Sequence, residues 1–184
     1  MGATNTQALQ LVAECRDQPA VFDNVCPELC PQLEQIILGR MQNDRGRRTG
    51  SLNVGGWKSG EDFFSWSDVP VQQLRQTISE LVGASSLVAW AMVNRAGSRH
   101  PRHQHRVAIL TGVYYVTAGS PDAITPTVFE CPCDSQPTRH SDHYELEVEP
   151  NPGRLAIFRG EMWHRVPAYP GELPRITVAF DVRR

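Results

Sequence analysis

Residues 103–116 read HQHRVAILTGVYYV, in which two histidines directly precede a strand-like run. Residues 108–116 are rich in β-branched and aromatic side chains, which favours a strand. His103 and His105 are two positions apart, and residues i and i+2 of an extended chain point to the same side. His164 follows a second strand-like run, residues 154–158. Three neutral imidazoles from neighbouring strands can converge on one Zn, Cu, Fe or Ni ion.

Arg175 and Thr177 lie at the start of the last strand-like segment and share one face of it, because they are two positions apart. A guanidinium binds a carboxylate through two parallel hydrogen bonds. Arg175 can therefore anchor the far carboxylate of a dicarboxylate that chelates the metal. The alternative is a local ion pair between Arg175 and Glu172.

The remaining pattern predicts a helical part followed by a β part. Apolar residues recur at helical spacing in two places, at Leu29, Leu33, Ile36 and Ile37, and at Leu74, Ile78, Leu81 and Val82 before Gly83. Short strands bounded by Gly and Pro turns are predicted at 87–93, 107–116, 127–130, 144–148, 155–158 and 176–182. This spacing favours a sandwich or barrel. We expect one domain over 1–184, with 1–86 as mostly helical support and 87–184 as the β core.

Bulk properties exclude some classes of function. The 184 residues carry a net charge of −2 at pH 7, with a pI near 6.3, so no overall basic field attracts nucleic acid. The sequence contains no apolar run of about 18 residues, so we expect no membrane-spanning helix. It also contains no basic segment followed by an apolar run, so we expect no secretory signal. The five cysteines, an odd number, favour reduced thiols in the cytoplasm.

Further motifs follow one another in a specific order. They are SLNVGGWKS at 51–59, WAMVN at 90–94, HQH at 103–105 with TGVYYV at 111–116, GRLAIF at 153–158, His164, and RITVAF at 175–180. In this order and spacing they resemble a bacterial and phage branch of the Fe(II)/2-oxoglutarate-dependent oxygenases, over most of the chain. The resemblance implies a mainly β fold, the double-stranded β-helix or jelly roll, with helices on one side.

The resemblance also implies cofactors and a reaction. It implies Fe(II) as the metal, 2-oxoglutarate as cosubstrate, O2 as oxidant, and hydroxylase-type oxidation of a C–H bond with decarboxylation of 2-oxoglutarate to succinate. The expected partner is a small-molecule or peptide substrate, with a homodimer as one option. The implied site residues are the metal ligands His103, His105 and His164, and the cosubstrate-binding residues Arg175, Thr177, Asn94 and Tyr115. Among the aromatic residues, Trp57 and Trp163 are candidates for lining the substrate pocket.

One ligand position departs from the wider superfamily, because His105 stands where most members have Asp or Glu. An imidazole does not cancel a charge of Fe(II), so the identity of the metal and of the third ligand stays open. A literal His-x-Asp occurs at His140 and Asp142, and water is another option. Two other functions also stay open: a cupin-type three-histidine metalloenzyme that does not use 2-oxoglutarate, and a non-catalytic jelly-roll binding protein.

Overall fold

The computed structural model describes residues 10–11, 14–44, 52–132 and 143–183. Its strands are β1 (Ala20–Phe22), β2 (Trp57–Lys58), β3 (Leu87–Asn94), β4 (His100–His103), β5 (Ala108–Thr117), β6 (Thr127–Pro132), β7 (His143–Val148), β8 (Leu155–Arg159), β9 (His164–Val166) and β10 (Arg175–Arg183). Two α-helices, α1 (Cys30–Asn43) and α2 (Val69–Val82), precede most of them, with 3-10 turns at Pro27–Leu29 and Phe63–Ser65.

The described strands form two antiparallel sheets. One has six strands in the order β1-β8-β5-β10-β3-β2, and the other has four in the order β4-β9-β6-β7. The longest pairings join β10 to β5 and β3 at the centre of the larger sheet. Antiparallel sheets commonly carry different chemistry on their two faces, because side chains alternate. The prediction of a mainly β fold is confirmed.

Both helices cover the outer face of the six-stranded sheet. In α2 the buried residues Val71, Leu74, Ile78 and Val82 form one apolar stripe at helical spacing. The helix ends at Gly83, whose φ of 64° lies in the left-handed region that glycine adopts without strain. None of the described helices is long and apolar enough to cross a membrane.

The first 86 residues contribute to the sheet as well as to the helical layer. Besides α1 and α2, they supply β1 at one edge of the larger sheet and β2 at the other. The two described helices have 14 residues each, and most of the rest of this part of the described chain consists of short strands, 3-10 turns and loops.

The side chains of β10 alternate between the apolar core and the cavity between the sheets. Ile176, Val178, Phe180 and Val182 point outward into the apolar core under the helices. The residues between them point inward, where Arg175, Thr177, Ala179 and Asp181 line a cavity between the sheets. The inner face of one central strand therefore carries a row of polar side chains.

Candidate metal and cosubstrate site

Three histidines meet at one end of this cavity. His103 ends β4 and His164 begins β9, and the two residues are directly paired across the antiparallel ladder. His105 follows two positions after His103. The nitrogen atoms that the three rings offer all lie within 4.8 Å of one another. The predicted convergence of His103, His105 and His164 is therefore present, although the two short strands that carry His103 and His164 were not predicted.

The Nδ1 atom of each ring is already hydrogen-bonded. His103 Nδ1 lies 2.8 Å from the Pro101 carbonyl oxygen, and His164 Nδ1 lies 3.0 Å from that of Met162. Because a carbonyl oxygen only accepts, both rings donate from Nδ1–H and keep a lone pair on Nε2. Such outer partners fix the tautomer of metal-binding histidines.

Burial also keeps these rings in the form that binds metals. It is the largest cause of the lowered pKa of His103, and it holds the pKa of His164 well below its usual range. Neighbouring rings lower both pKa values further, since imidazolium ions repel one another. Neutral imidazoles are the species that coordinate a divalent ion.

His105 is held by a carboxylate from the opposite sheet. Its Nδ1 lies 2.9 Å from Oδ1 of Asp181, a buried residue of β10. The indole of Trp90 stacks on the His105 ring with centroids 5.8 Å apart and planes 6° from parallel. Asp181 and Trp90 were not among the predicted site residues. The alternation Arg175, Thr177, Ala179, Asp181 is the sequence signal that identifies the carboxylate.

Arg175 occupies a second buried position on the cavity wall. It is 1% exposed, and its guanidinium donates long hydrogen bonds to the Thr125 carbonyl oxygen, at 3.3 Å, and to Thr127 Oγ1, at 3.4 Å. Among the described residues, no carboxylate forms an ion pair with Arg175. This includes Glu172, the alternative partner that the sequence offers. Burial lowers the pKa of Arg175, but a guanidinium remains charged at neutral pH. A buried cation without a carboxylate is a binding site for an anion.

Thr177 supplies an unused hydroxyl beside Arg175. Its Oγ1 is buried and has no hydrogen-bond partner, although a buried hydroxyl is normally paired. Asn53 is the other buried residue of the described chain with unpaired side-chain atoms, its Oδ1 and Nδ2, and it lines the same cavity. This cavity has a volume of about 520 Å³. The histidine cluster, Arg175, Thr177 and Asn53 thus line the same cavity.

Asn94 and Tyr115 lie behind the lining rather than in it. Asn94 is buried and bonds through its amide to Nε2 of His100, which does line the cavity, at 3.1 Å. The Tyr115 hydroxyl donates to Thr127 Oγ1 at 2.7 Å, and the guanidinium carbon of Arg175 lies 5.4 Å from the Tyr115 ring centroid. Both residues contact groups of the lining and orient them.

The two tryptophans predicted for a substrate pocket lie elsewhere. Trp57 borders a separate, smaller cavity and donates to Asp44 Oδ2 at 3.3 Å. The ring of Trp163 lies under the guanidinium of Arg102, 3.7 Å from its carbon. Trp90 lines the main cavity instead. The sequence alone does not show which tryptophan faces the interior.

The alternative His140–Asp142 pair lies outside the described residues, and so does Cys133. The four described cysteines, Cys15, Cys26, Cys30 and Cys131, are free thiols.

Comparison with known proteins identifies the family. The family described as "Putative 2OG-Fe(II) oxygenase" matches residues 88–181, just over half of the chain. The chain belongs to this family. This oxygenase is therefore an enzyme with Fe(II) as its cofactor and 2-oxoglutarate as its cosubstrate. No curated protein gives a significant sequence match.

Solved structures with low sequence identity share the fold of this oxygenase. A Pseudomonas putida prolyl-4-hydroxylase superimposes with a TM-score of 0.69 at 17% identity, covering 96% of this chain and 98% of that one. A Trichoplax adhaerens prolyl hydroxylase, solved with a hypoxia inducible factor peptide fragment, gives 0.69 at 12% identity, with 98% and 90% covered. The viral collagen prolyl hydroxylase of Paramecium Bursaria Chlorella virus-1, in its 2OG complex, gives 0.63 at 10%, with 91% and 97% covered. The two-sheet arrangement is thus the jelly roll of 2-oxoglutarate oxygenases.

Proposed function

We propose that His103, His105 and His164 bind Fe(II) through Nε2, and that Arg175 and Thr177 bind the distal carboxylate of 2-oxoglutarate. One observation carries this assignment. A cluster of three histidines, two of which keep Nε2 free, shares a cavity with a buried guanidinium that has no ion pair and a buried hydroxyl that has no partner. A divalent metal and a dicarboxylate supply the missing partners at both ends.

The inner face of β10 sets the distance between the two ends. Asp181, behind His105, and Arg175 are six residues apart, roughly 20 Å along a strand. The long Arg175 side chain shortens the gap that the cosubstrate bridges. Ala179, between the ends, is small and leaves room on the cavity floor. Arg175 and Thr177 would therefore hold the distal carboxylate of the cosubstrate at one end of this row.

The surrounding residues position the reactants and exclude water. When bound, the metal and cosubstrate would allow O2 to oxidise a C–H bond, with one oxygen atom entering the product, the other entering succinate, and CO2 released from 2-oxoglutarate. The carbonyl oxygens of Pro101 and Met162 orient two ligand rings, and Trp90 covers the face of the third. We propose hydroxylation of a small-molecule or peptide substrate in the cytoplasm. The three prolyl hydroxylases among the similar structures support this class of reaction.

Asp181 offers a solution to the missing carboxylate ligand. A carboxylate bonded to the outer nitrogen of a ligating histidine raises the basicity of that ligand. We propose that Asp181, hydrogen-bonded to the far side of the His105 ring, provides the negative charge that a directly bound Asp or Glu provides elsewhere in the superfamily. A histidine in the middle ligand position then remains compatible with Fe(II).

The assignment is tested by anaerobic loading with Fe(II), addition of 2-oxoglutarate and O2, and measurement of succinate. We expect succinate to form, and His103→Ala and His164→Ala to abolish stoichiometric iron binding while circular dichroism shows a folded protein. Iron binding at wild-type affinity in both variants contradicts the ligand assignment. Iron binding without any 2-oxoglutarate binding in the wild type contradicts the assignment of Arg175 and Thr177.

A further inference from the structure

Lys58 is the only lysine in the sequence, since the other 17 basic residues are arginines. It lies on β2, half-buried, and its ammonium nitrogen is 4.3 Å from the centroid of the Trp90 ring. Its ion pair is with Glu61, at a long 3.9 Å, and the Glu61 side chain is 54% exposed. An exposed pair of this length contributes little. A cation thus lies on the cavity wall with only weak compensation.

The charge of Lys58 acts on the metal end of the cavity. Lys58 is among the groups that lower the pKa of His103 and of His100. Burial lowers the pKa of Lys58, and Glu61 and Asp181 oppose this effect. The Trp90 ring next to the ammonium also stacks on His105. Lys58 thus lines the same cavity as the histidine cluster.

The charges that line the cavity do not balance. Four cations line it, Lys58, Arg106, Arg175 and Arg183, and two carboxylates, Glu61 and Asp181. Arg183 is paired with Glu61 at 3.1 Å, and Asp181 is bonded to His105. If Arg175 binds the cosubstrate, two cations remain: Lys58, whose carboxylate contact is the long one to Glu61, and Arg106, which forms no ion pair among the described residues.

The bound cofactors do not remove this excess. Two negative charges of 2-oxoglutarate match the two positive charges of Fe(II), because the three ligating imidazoles are neutral. The surplus of positive charge on the lining therefore persists. A second anion would balance it.

We propose that the substrate of this enzyme carries an oxyanion, a carboxylate or phosphate, that binds the ammonium of Lys58 beside Trp90 at the metal end of the cavity. This inference rests on the proposed function, because the cavity is taken to hold Fe(II) and 2-oxoglutarate. Arg106 adds positive charge at the rim, and the unpaired amide of Asn53 offers the substrate one donor and one acceptor.

The test uses three probes that share a phenyl ring: phenylacetate, phenyl phosphate and the neutral phenylacetamide. Each is titrated calorimetrically into anaerobic enzyme saturated with Fe(II) and 2-oxoglutarate. We expect at least one of the two anions to bind about ten- to a hundredfold more tightly than the amide, the range for one charge-assisted contact. The anion that does so identifies carboxylate or phosphate as the group recognised. Anions that bind no better than the amide, including absence of binding by all three probes, overturn the proposal.

Variants assign the effect to Lys58. Lys58→Met should reduce anion binding to the level of the amide, and Lys58→Arg should retain part of it. Arg40→Met is the matched control, because the Arg40 guanidinium also lies over a tryptophan, Trp66, at 4.8 Å, but outside the main cavity. It should leave the anion preference unchanged. Thermal unfolding checks that every variant is folded.

Two further outcomes separate this inference from the proposed function. If the wild type binds no 2-oxoglutarate before a probe is added, the proposed function fails, and this inference fails with it. If Lys58→Met weakens 2-oxoglutarate as much as Arg175→Ala does, Lys58 belongs to the cosubstrate site and only this inference fails. As an independent readout, phenylacetate or phenyl phosphate, but not phenylacetamide, should protect the single lysine from reductive methylation, as measured by peptide mass spectrometry.

Discussion

At the scale of single residues, Arg175 has the most specific expected effect. Arg175→Ala leaves the distal carboxylate of 2-oxoglutarate buried without its charged partner, a loss of about 2–5 kcal/mol in binding. This equals a roughly 30-fold to several thousand-fold higher dissociation constant. Arg175→Lys should restore only part of the affinity for 2-oxoglutarate, because an ammonium cannot form two parallel hydrogen bonds. Calorimetric titration of 2-oxoglutarate measures these affinities. Equal affinities in wild type and Arg175→Ala contradict the assignment of Arg175.

Asp181 should act on the metal only through His105. Asp181→Asn removes the negative charge behind the ring, and we expect Fe(II) affinity to fall roughly 10- to 100-fold. In His105→Ala, the same second substitution should have almost no additional effect, because the connecting ring is absent. Anaerobic competition with a chromophoric chelator measures these affinities. Asp23→Asn, which alters an exposed carboxylate paired with Arg154, is the control. Additive losses in the double variant would show that Asp181 acts by another route.

At the scale of elements, β10 predicts opposite effects for adjacent residues. Ile176 is packed under the helices, so Ile176→Ala should lower the free energy of unfolding by about 2–5 kcal/mol without changing 2-oxoglutarate affinity. Thr177→Val removes a buried hydroxyl that has no partner in the free protein, so stability should stay equal or rise. The same change should weaken 2-oxoglutarate binding by about 1–3 kcal/mol.

Urea unfolding and calorimetry, applied to both variants, measure the two quantities separately. A loss of stability in Thr177→Val would mean that its hydroxyl has a partner in the free protein. A loss of cosubstrate affinity in Ile176→Ala would mean that the two faces of β10 are not independent.

The sequence predicts long elements well and short ones poorly. Six strands were located to within two residues of their bounds, because alternating apolar residues lie between clear turns. The strands β1, β2, β4 and β9 have two to four residues each and carry too few apolar positions for a periodic signal. His103 and His164 were nevertheless recognised, because histidine spacing is informative without a strand assignment. Asp181 was missed because it reaches His105 from an element 76 positions away.

The sequence also does not predict which tryptophan faces the cavity or what surrounds the lysine. Trp57, Trp90 and Trp163 all lie next to or within strands, and only packing decides that Trp90 faces the cavity. Lys58 lies in the SLNVGGWKS segment, yet its significance comes from the ring beneath it and the charges around it. These relations join distant parts of the chain and have no local pattern.

At the scale of the whole molecule, the buried histidines make the metal-free protein sensitive to acid. Burial, followed by the positive charge of Arg175, lowers the pKa of His100 from 6.5 to about 3. Below pH 6.5 the unfolded chain takes up a proton at His100 and the folded chain does not. The stability from this residue is complete above pH 6.5 and falls as the pH approaches 3, by up to about 5 kcal/mol.

Urea unfolding of metal-free protein at pH 7, 5 and 4 measures this dependence. His100→Gln, which keeps a polar group opposite Asn94, should lose less stability between pH 7 and pH 4 than the wild type does. Equal losses in the two proteins would assign the acid sensitivity to other groups, such as His103 and His164.

The pairing of β4 with β9 has a consequence for how the enzyme acquires iron. These strands are paired at His100 with Val166 and at His103 with His164, with an irregularity between the two pairs. Short, irregular ladders open locally at a small fraction of the free energy of global unfolding. Two ligands therefore lie on short, irregularly paired strands, while Asp181 and Arg175 lie on a central strand of the larger sheet. We expect iron to enter and leave by local opening of the short strands, so that the lifetime of the loaded enzyme depends on a local motion rather than on the stability of the fold.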